Sequence, residues 1–471
     1  MLWKELGVES PGELLYACNE NRLIDLKGFG KKTQDQIIHS LLYALKNKGK
    51  VLYSTTEVVA SPLLKDLRNE GIGKAFSITG EMRRKCNVVD KIEILIATDN
   101  ENEVITFLKS HPVIHPLEEI IREENVLKFN LVNGIKINII ICKPEEFYFK
   151  LFVTTGNEAH VSAFNLEGLK TVASEEEIYL KNNRSFVEPE MREGLGEIEL
   201  AEQNKLPVLI TAKDIKGIIH NHSTYSDGVN TLAEMAEFCK REGYEYFAIC
   251  DHSKSAFYAN GLSIERVIQQ QYEVDELNKK LSPFKIFKGI EADILNDGLL
   301  DYPDEILSTF DMVVASVHSN LRMDKEKATN RLIRAIENPF TTILGHPTGR
   351  LLLAREGYPI DHQKVIDACS ENNVVIELNA NPYRLDMDWT WIGYALERNV
   401  MISINPDAHS VGAIYVVNYG INAARKGGLT KEMTFNTLSL NKMEQYLAKK
   451  KSMIKINLLL FCKEIIFDFL R

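Results

Sequence analysis

Beyond residue 215 of this 471-residue chain, seven apolar runs alternate with amphipathic stretches, and no other feature limits the fold as tightly. The runs read KGIIHNH, YFAICDH, FKIFKGIEAD, DMVVASVH, TTILGHP, NVVIELNAN and VMISINPDAH. Helical periodicity fills the intervals at 231–241, 263–280, 325–337, 361–371 and 389–397. Near-continuous apolar strands separated by helices belong to a parallel sheet covered on both faces. Seven such units predict a closed, TIM-like barrel with one unit fewer than the usual eight.

The polar residues gather where such barrels keep their chemistry, at the C-terminal ends of the strands. The first run ends in His220 and His222, with Asp227 in the following loop. The others bring Asp251 and His252, Glu291, His318, His346, and finally Asp407 and His409; only the sixth offers nothing. If the first run is a strand throughout, its period of two puts both imidazoles on one side. Any one of these residues alone reads as a hydrogen-bonded strand end, but together they predict a metal site. Imidazoles and carboxylates without a thiolate suit manganese, zinc or iron. Asp251 either supports the site from behind or caps its own loop. Arg350 and Arg384, just past strand ends, either grip a substrate phosphate or pair with acidic loops. Tyr225 and Lys254 are weaker candidates beside them.

Composition narrows the partners. A net charge of −10 excludes a uniformly basic nucleic-acid coat, though not a local patch. Seven scattered cysteines without a CxxC pair fit reduced thiols in a cytoplasmic protein. The start, MLWKELGVES, lacks a signal-peptide pattern. The apolar tail at 451–471 is too short to span a bilayer and reads as a packed or disordered extension, with a membrane-surface helix as the other possibility.

The first half carries different signals. In IDLKGFGKKTQDQI, Gly28 and Gly30 bare backbone amides at a turn, a helix starts there, and Lys31 and Lys32 stand beside it. This is either a phosphate-holding turn, resembling a helix-hairpin-helix, or a plain connector. The segment TGEMRRKCNVVDKIEILIATDN then leads through strands at 126–131 and 135–142 to FKLFVTTGNEAHVSAFNLEGL and EEEIYL. In this order the segments resemble the fingers, palm and thumb of a family X DNA polymerase. In that family a Gly-Ser and two arginines precede an Asp-x-Asp strand, and a third Asp follows on a later strand. The carboxylates bind two magnesium ions. Here Gly80, Arg83 and Arg84 are kept, but Glu81 replaces the serine. Lys91 and Glu93 fill the Asp-x-Asp positions, and Asn138 fills the third. A protonated lysine cannot ligate a metal, and Asp90 is one residue out of register. The expectation is a palm that has lost nucleotide transfer and persists as a scaffold or DNA-docking surface, with Arg83 and Arg84 among its DNA contacts. By the same resemblance the chain begins at the family's second helix-hairpin-helix, without the preceding lyase-type domain.

The rim set is similar, position by position, to the polymerase and histidinol phosphatase (PHP) domain that bacterial family X polymerases carry at their C-terminus. That resemblance implies three divalent ions. His220, His222, Glu291 and Asp407 would hold one, Glu291, His318 and His346 a second, and Asp227, His252 and His409 a third. The chain thus reads as a multi-domain α/β protein. A helix-hairpin-helix region lies at 1–50, α+β palm-like and thumb-like regions at 51–147 and 148–208, a distorted (β/α)7 PHP barrel at 209–450, and the tail after it. The expected activity is metal-dependent hydrolysis at DNA 3′ ends in repair, as 3′→5′ exonuclease, 3′-phosphatase or abasic-site endonuclease. It would belong to a monomer with no membrane partner. The alternatives are a histidinol-phosphatase-like enzyme, a non-catalytic gap-binding scaffold, and a working polymerase.

Overall fold

In the computed structural model the runs after residue 215 form seven parallel strands in chain order: Gly217–Ile218, Tyr246–Ile249, Lys285–Asp293, Met312–Ser316, Ile343–Leu344, Val375–Asn379 and Ile402–Asn405. The structure describes all residues except 1–7, 9, 24–25, 27–29, 115–118 and 470–471, and gives the backbone alone for 455–469. The first and seventh strands are stitched rather than paired. At one end Asn221 bridges Ala408, and His222 N donates to Ala408 O at 2.9 Å. At the other, the Asn436 amide donates to Ile404 O at 2.7 Å and Gly217 O at 3.3 Å, and its Oδ1 accepts from Ile404 N at 3.1 Å. The result is a nearly closed barrel.

Side-chain alternation sorts each strand into two faces. Phe247, Ile249, Ile290, Val313 and Ile376 join the helices Leu232–Arg241 and Ile264–Leu281 in the outer core. Tyr246, Ala248, Phe287, Met312, Val314 and Val375 form the inner core, closed below by Phe435, Met443 and Leu447. Higher up, the inner rows turn polar. Phe287 is followed on its side by Gly289, Glu291 and Asp293, and Val375 by Glu377 and Asn379. Gly289 cannot be larger, since a Cβ there would lie 2.4 Å from Ile249 O.

The remaining expected helices are Lys325–Ile336 and His362–Glu371, while 389–397 splits into a 3-10 turn, Trp389–Trp391, and a helix, Ile392–Glu397. Asp324 and Asp361 cap the first two by accepting from Lys327 N and Lys364 N. A helix at Val417–Lys426 was not legible from periodicity. The tail continues a single helix, Leu440–Phe469, whose Met443 and Leu447 plug the barrel floor. Among the described residues no helix is long and apolar enough to cross a membrane, and the six described cysteines are free.

The first half is built on a five-stranded sheet ordered Ala75–Ile78, Ile92–Ala97, Lys136–Cys142, Val126–Asn130 and Ile121–Glu123. Helices Tyr53–Asn69 and Glu101–Ser110 cover its core of Leu63, Leu67, Ile94, Phe107 and Ile139. Arg83 and Arg84, expected to meet DNA, are instead spent inside this half. Arg83 forms a two-pronged pair with Glu175 and donates to Thr155 Oγ1 at 2.7 Å. Arg84 donates to Glu193 Oε1 at 3.0 Å and Thr155 O at 2.7 Å. A guanidinium held by a buried carboxylate has no fork left for a phosphate.

The two halves share this network. Lys426, at the end of its helix and buried, donates to Glu193 Oε1 at 2.5 Å and Arg84 O at 2.9 Å, and lies 4.8 Å from the Trp389 ring centre. Arg425 donates to Glu190 Oε1 at 2.8 Å. Burial alone would raise the Glu193 carboxyl, but Lys426 and Arg84 hold it below its ordinary range. Its contribution is therefore complete above the unfolded carboxylate pKa and is lost as pH falls through the lower folded one. Lys426→Met, which leaves the buried Glu193 carboxylate to Arg84 alone, is expected to cost about 3 kcal/mol, read as a lower thermal midpoint at neutral pH. Glu193→Gln is expected to flatten the acid limb of stability against pH, measured by thermal melts at a series of pH values.

Candidate metal centre

Glu291 stands at the centre of the barrel's C-terminal rim, 1% exposed. Its Oε1 lies 3.2 Å from His220 Nε2, 3.1 Å from His318 Nε2 and 3.0 Å from His346 Nε2. Its Oε2 lies 2.9 Å from His252 Nδ1 and 3.6 Å from His222 Nε2. Asp407 Oδ1 is 3.0 Å from His222 Nε2 and 3.7 Å from His220 Nε2. Asp227 Oδ1 faces His409 Nε2 at 3.3 Å, His252 Nε2 at 3.8 Å and His222 Nδ1 at 3.9 Å. All nine expected side chains thus lie in one continuous array.

Local backbone aims them. The first strand stops at Ile218, so the two histidines are not neighbours along a strand, as the period of two had it. His220 turns into left-handed backbone at φ +60°, as does Asp407 at φ +52°. Such a conformation costs a non-glycine residue roughly 1–2 kcal/mol. It is held by Cys250 N donating to Asn221 O at 2.8 Å and by the His222–Ala408 bond across the seam. Asp251 does not reach the array. Its carboxylate accepts from Ser223 N and Oγ at 2.7 Å, Ser226 N at 3.2 Å and Gln270 Nε2 at 2.6 Å, which fixes the loop carrying Asp227. Burial raises the Asp251 carboxyl despite those donors.

Two residues behind the array escaped sequence reading. Glu377, on the sixth strand, lies 2.6 Å from His220 Nδ1 and accepts from Asn405 Nδ2 at 2.8 Å and His346 N at 3.2 Å. Asp293 lies 2.5 Å from His318 Nδ1. Each orients an imidazole from its far nitrogen and makes the near one more basic. Asp293 could have been found two places after Glu291 on the same strand face, and Glu377 as a carboxylate inside an otherwise buried run.

Electrostatics follow from burial among opposite charges. Burial alone would raise Glu291, but His318, His220 and His252 hold it well below the carboxylate range. Asp227 is lowered to about 2, chiefly by His409, His252 and His222 against its burial. His222, buried beside His252 and His409, is pushed down to about 3, whereas Glu291 and Asp293 carry His318 up to about 10 against its burial.

The donor set fits divalent cations. His220 Nε2, His222 Nδ1, His252 Nδ1 and Glu291 Oε2 are buried without a hydrogen bond among the described residues. Each would cost on the order of 1–3 kcal/mol unless a cation took its lone pair. Three groups have donor atoms within 4.8 Å of one another: His222, Asp227, His252 and His409; His220, His222 and Asp407; His252, Glu291 and His318. His222 and His252 each enter two groups, a sharing the expected partition lacked, and His346 joins through Glu291.

The other candidates separate. Arg350 is tied to Asp388 and to the carbonyls of Arg384 and Leu385, so it has no fork for a phosphate. Arg384 remains at the rim, its Nε 4.0 Å from Asp407 Oδ2. Tyr225 donates to Glu273 at 2.7 Å, and Lys254 lies over the Tyr302 ring at 5.6 Å. Gly30 caps the helix Lys31–Lys46, on which Lys31 and Lys32 are exposed; Gly28 lies outside the described residues. That helix touches the barrel, with His39 Nδ1 3.3 Å from Glu356. In the palm-like sheet Lys91 pairs with Glu93 at 3.1 Å, and Asn138 is in register beside Glu93.

Comparison with known proteins meets this geometry. The PHP domain family matches residues 219–381. The "DNA polymerase/3'-5' exonuclease PolX" of Bacillus subtilis is 34% identical over 469 residues, covering 95% of this chain and 82% of that protein. A protein of Caldanaerobacter subterraneus named "Probable phosphatase" is 28% identical over 252 residues, 50% of this chain and 92% of its own length. Among solved structures, histidinol phosphate phosphatase of Lactococcus lactis, complexed with zinc, L-histidinol and phosphate, aligns at a TM-score of 0.33 and 16% identity over 46% of this chain and 94% of its own.

Glu377→Gln is expected to weaken divalent-metal binding about 10–100-fold by freeing the His220 ring, measured by competition against a calibrated chelator.

Proposed function

The chain belongs to the PolX family, DNA polymerase/3′-5′ exonucleases that carry a PHP domain, and on that premise we propose that it is a metal-dependent phosphoesterase of DNA 3′ ends whose polymerase half no longer transfers nucleotides. The observation that carries this reading is the array around Glu291, in which His220 Nε2, His222 Nδ1, His252 Nδ1 and Glu291 Oε2 are buried without a hydrogen-bond partner among the described residues. Divalent ions on His220, His222, Asp227, His252, Glu291, His318, His346, Asp407 and His409 would acidify a water and neutralise charge on the phosphoryl oxygens.

The chain's own groups do the rest. Glu377 and Asp293 hold the His220 and His318 rings in place, and Asp251 fixes the loop of Asp227. Arg384, beside Asp407, is placed to meet a phosphoryl oxygen. In the exonucleolytic reaction the water oxygen bonds to phosphorus and the bond to the preceding 3′ oxygen breaks. One water proton ends on that oxygen and the other passes to solvent, leaving a strand one nucleotide shorter and a 5′-mononucleotide.

Loss of nucleotide transfer is read from the Lys91–Glu93 pair. An ammonium at one ligand position satisfies the remaining carboxylate, and the neutral amide of Asn138 completes the trio. A second reading, a phosphatase of small phosphomonoesters, is favoured by the relative named a probable phosphatase, which matches half of this chain over 92% of its own length. The attached polymerase-like half favours DNA.

The test is one labelled primer–template with manganese, with and without dNTPs, and wild type beside a His220→Ala, His222→Ala double variant. The expected outcome is primer shortening by wild type that falls at least a hundredfold in the variant, and no dNTP-dependent extension. Extension would mean that the palm still transfers nucleotides. Turnover of small phosphomonoesters without shortening would support the second reading.

A further inference from the structure

Ten residues after Glu291 a second carboxylate returns to the strand ends. Past Asp293 the chain reverses in the turn Leu295-Asn296-Asp297-Gly298-Leu299, where Leu295 N donates to Leu299 O at 2.8 Å and Gly298 N to Leu295 O at 2.9 Å. The Asp297 carboxylate accepts from Leu299 N at 3.1 Å, and Gly298 supplies the left-handed backbone, φ +87°, that the reversal needs. Ile294 and Leu300 then bridge in antiparallel fashion, which brings the next residue, Asp301, back beside the strand. Arg331, 3% exposed, locks the reversal by donating to Leu295 O at 2.8 Å, to Ser319 O at 3.1 Å and to Ile294 O.

Asp301 is buried, and its Oδ2 accepts from Ser253 Oγ at 2.7 Å and Ser255 N at 2.9 Å. Its Oδ1 has no hydrogen-bond partner among the described residues. A carboxylate oxygen only accepts, so the Ser253 hydroxyl has to donate to it and keeps its lone pairs for another donor. That donor is Asp293 N, at 2.9 Å, while Ser253 N donates to Glu291 O at 3.0 Å. Asp293 in turn lies 2.5 Å from His318 Nδ1, and His252, next to Ser253 in the chain, bridges Glu291. One buried serine thus ties together the backbone beneath His252, Glu291 and Asp293. His252, Glu291 and His318 are one of the three donor groups. The group of His220, His222 and Asp407 makes no hydrogen bond to Ser253 or Asp301 among the described residues.

Resting on the metal-dependent reading above, we propose that Asp301 is a positioning residue for the ion of His252, Glu291 and His318, acting through the Ser253 hydroxyl and serving that ion rather than the ion of His220, His222 and Asp407. Without the hydroxyl, Asp293 N loses its bond, the strand end is free to shift, and the Asp293 carboxylate no longer fixes the His318 ring. A metal site tolerates ligand displacements of only about 0.2 Å, so a small shift there is felt as lost affinity. The effect is local, because the other groups are aimed by the barrel seam and by Glu377.

The experiment loads the full chain with manganese and titrates each bound ion against a calibrated chelator, with circular dichroism to show folding. It compares wild type, Asp301→Ala, Asp301→Asn, Ser253→Ala, the Asp301→Ala, Ser253→Ala pair, and His318→Asn with and without Ser253→Ala. Asp301→Ala and Ser253→Ala are each expected to weaken one ion about 10–100-fold and to leave the others within about threefold. The pair is expected to be no weaker than either change alone, and Ser253→Ala to have no further effect once His318 is replaced. Asp301→Asn, whose amide oxygen can accept the same two bonds, is expected to stay within about threefold of wild type. If Asp301→Ala does not fold, Ser253→Ala alone and in the His318→Asn background decides. Variants that bind every ion like wild type would overturn the proposal, as would equal weakening of all ions, which would make the residue a support of the fold. Asp301→Asn as weak as Asp301→Ala would put the effect in the charge and overturn positioning through Ser253. A folded wild type that binds no divalent ion would overturn the metal-dependent reading itself, and the proposal with it.

Discussion

A single buried carboxylate organises the second half of this protein. Glu291 sits on the longest barrel strand, where the inward row changes from apolar to polar, and five imidazoles face it from four other strand ends or their loops. Bringing that many titratable groups out of water is expensive unless they are paired, hydrogen-bonded or metal-bound. The surroundings are arranged accordingly. Glu377 and Asp293 hold imidazoles from behind, Asp251 holds the Asp227 loop, and the barrel seam closes through His222 and Ala408 within the same array. The barrel seam and the centre share His222, and the left-handed backbone of His220 and Asp407 lies beside both.

In the polymerase-like half the charged groups turn on one another. Lys91 neutralises Glu93, and Gly80 remains where a Cβ would meet the Glu93 carboxylate at 2.1 Å. The paired arginines turn inward to Glu175 and Glu193, and Glu193 is also the carboxylate that buries Lys426 of the barrel. Arg84, Glu193 and Lys426 thus form part of the joint between the halves.

The barrel was legible because its signal is repeated: seven apolar runs, each ending at the same rim, average out local ambiguity. The nine array residues were legible for the same reason. What escaped was whatever depends on a partner distant in sequence. Arg350 looks like a phosphate grip until Asp388 is placed beside it, and Arg83 looks like a DNA contact until Glu175 is. Glu377 reads as one polar residue in a buried run, and its role exists only because His220, 157 positions earlier, turns toward it. The His-Asn-His motif showed that two imidazoles converge, but not how, since a left-handed turn at His220 leaves no mark on hydrophobic periodicity.

The most direct measurement is elemental analysis of metal bound per chain, for wild type and for Glu291→Gln purified in parallel, with circular dichroism to show that both are folded. Occupancy of the three donor groups in wild type, falling by at least one ion in the folded variant, is the expected result. A folded wild type that takes up no divalent metal when supplied with manganese, zinc or iron would contradict a metal-dependent centre on this rim, and so would a variant that keeps the full complement.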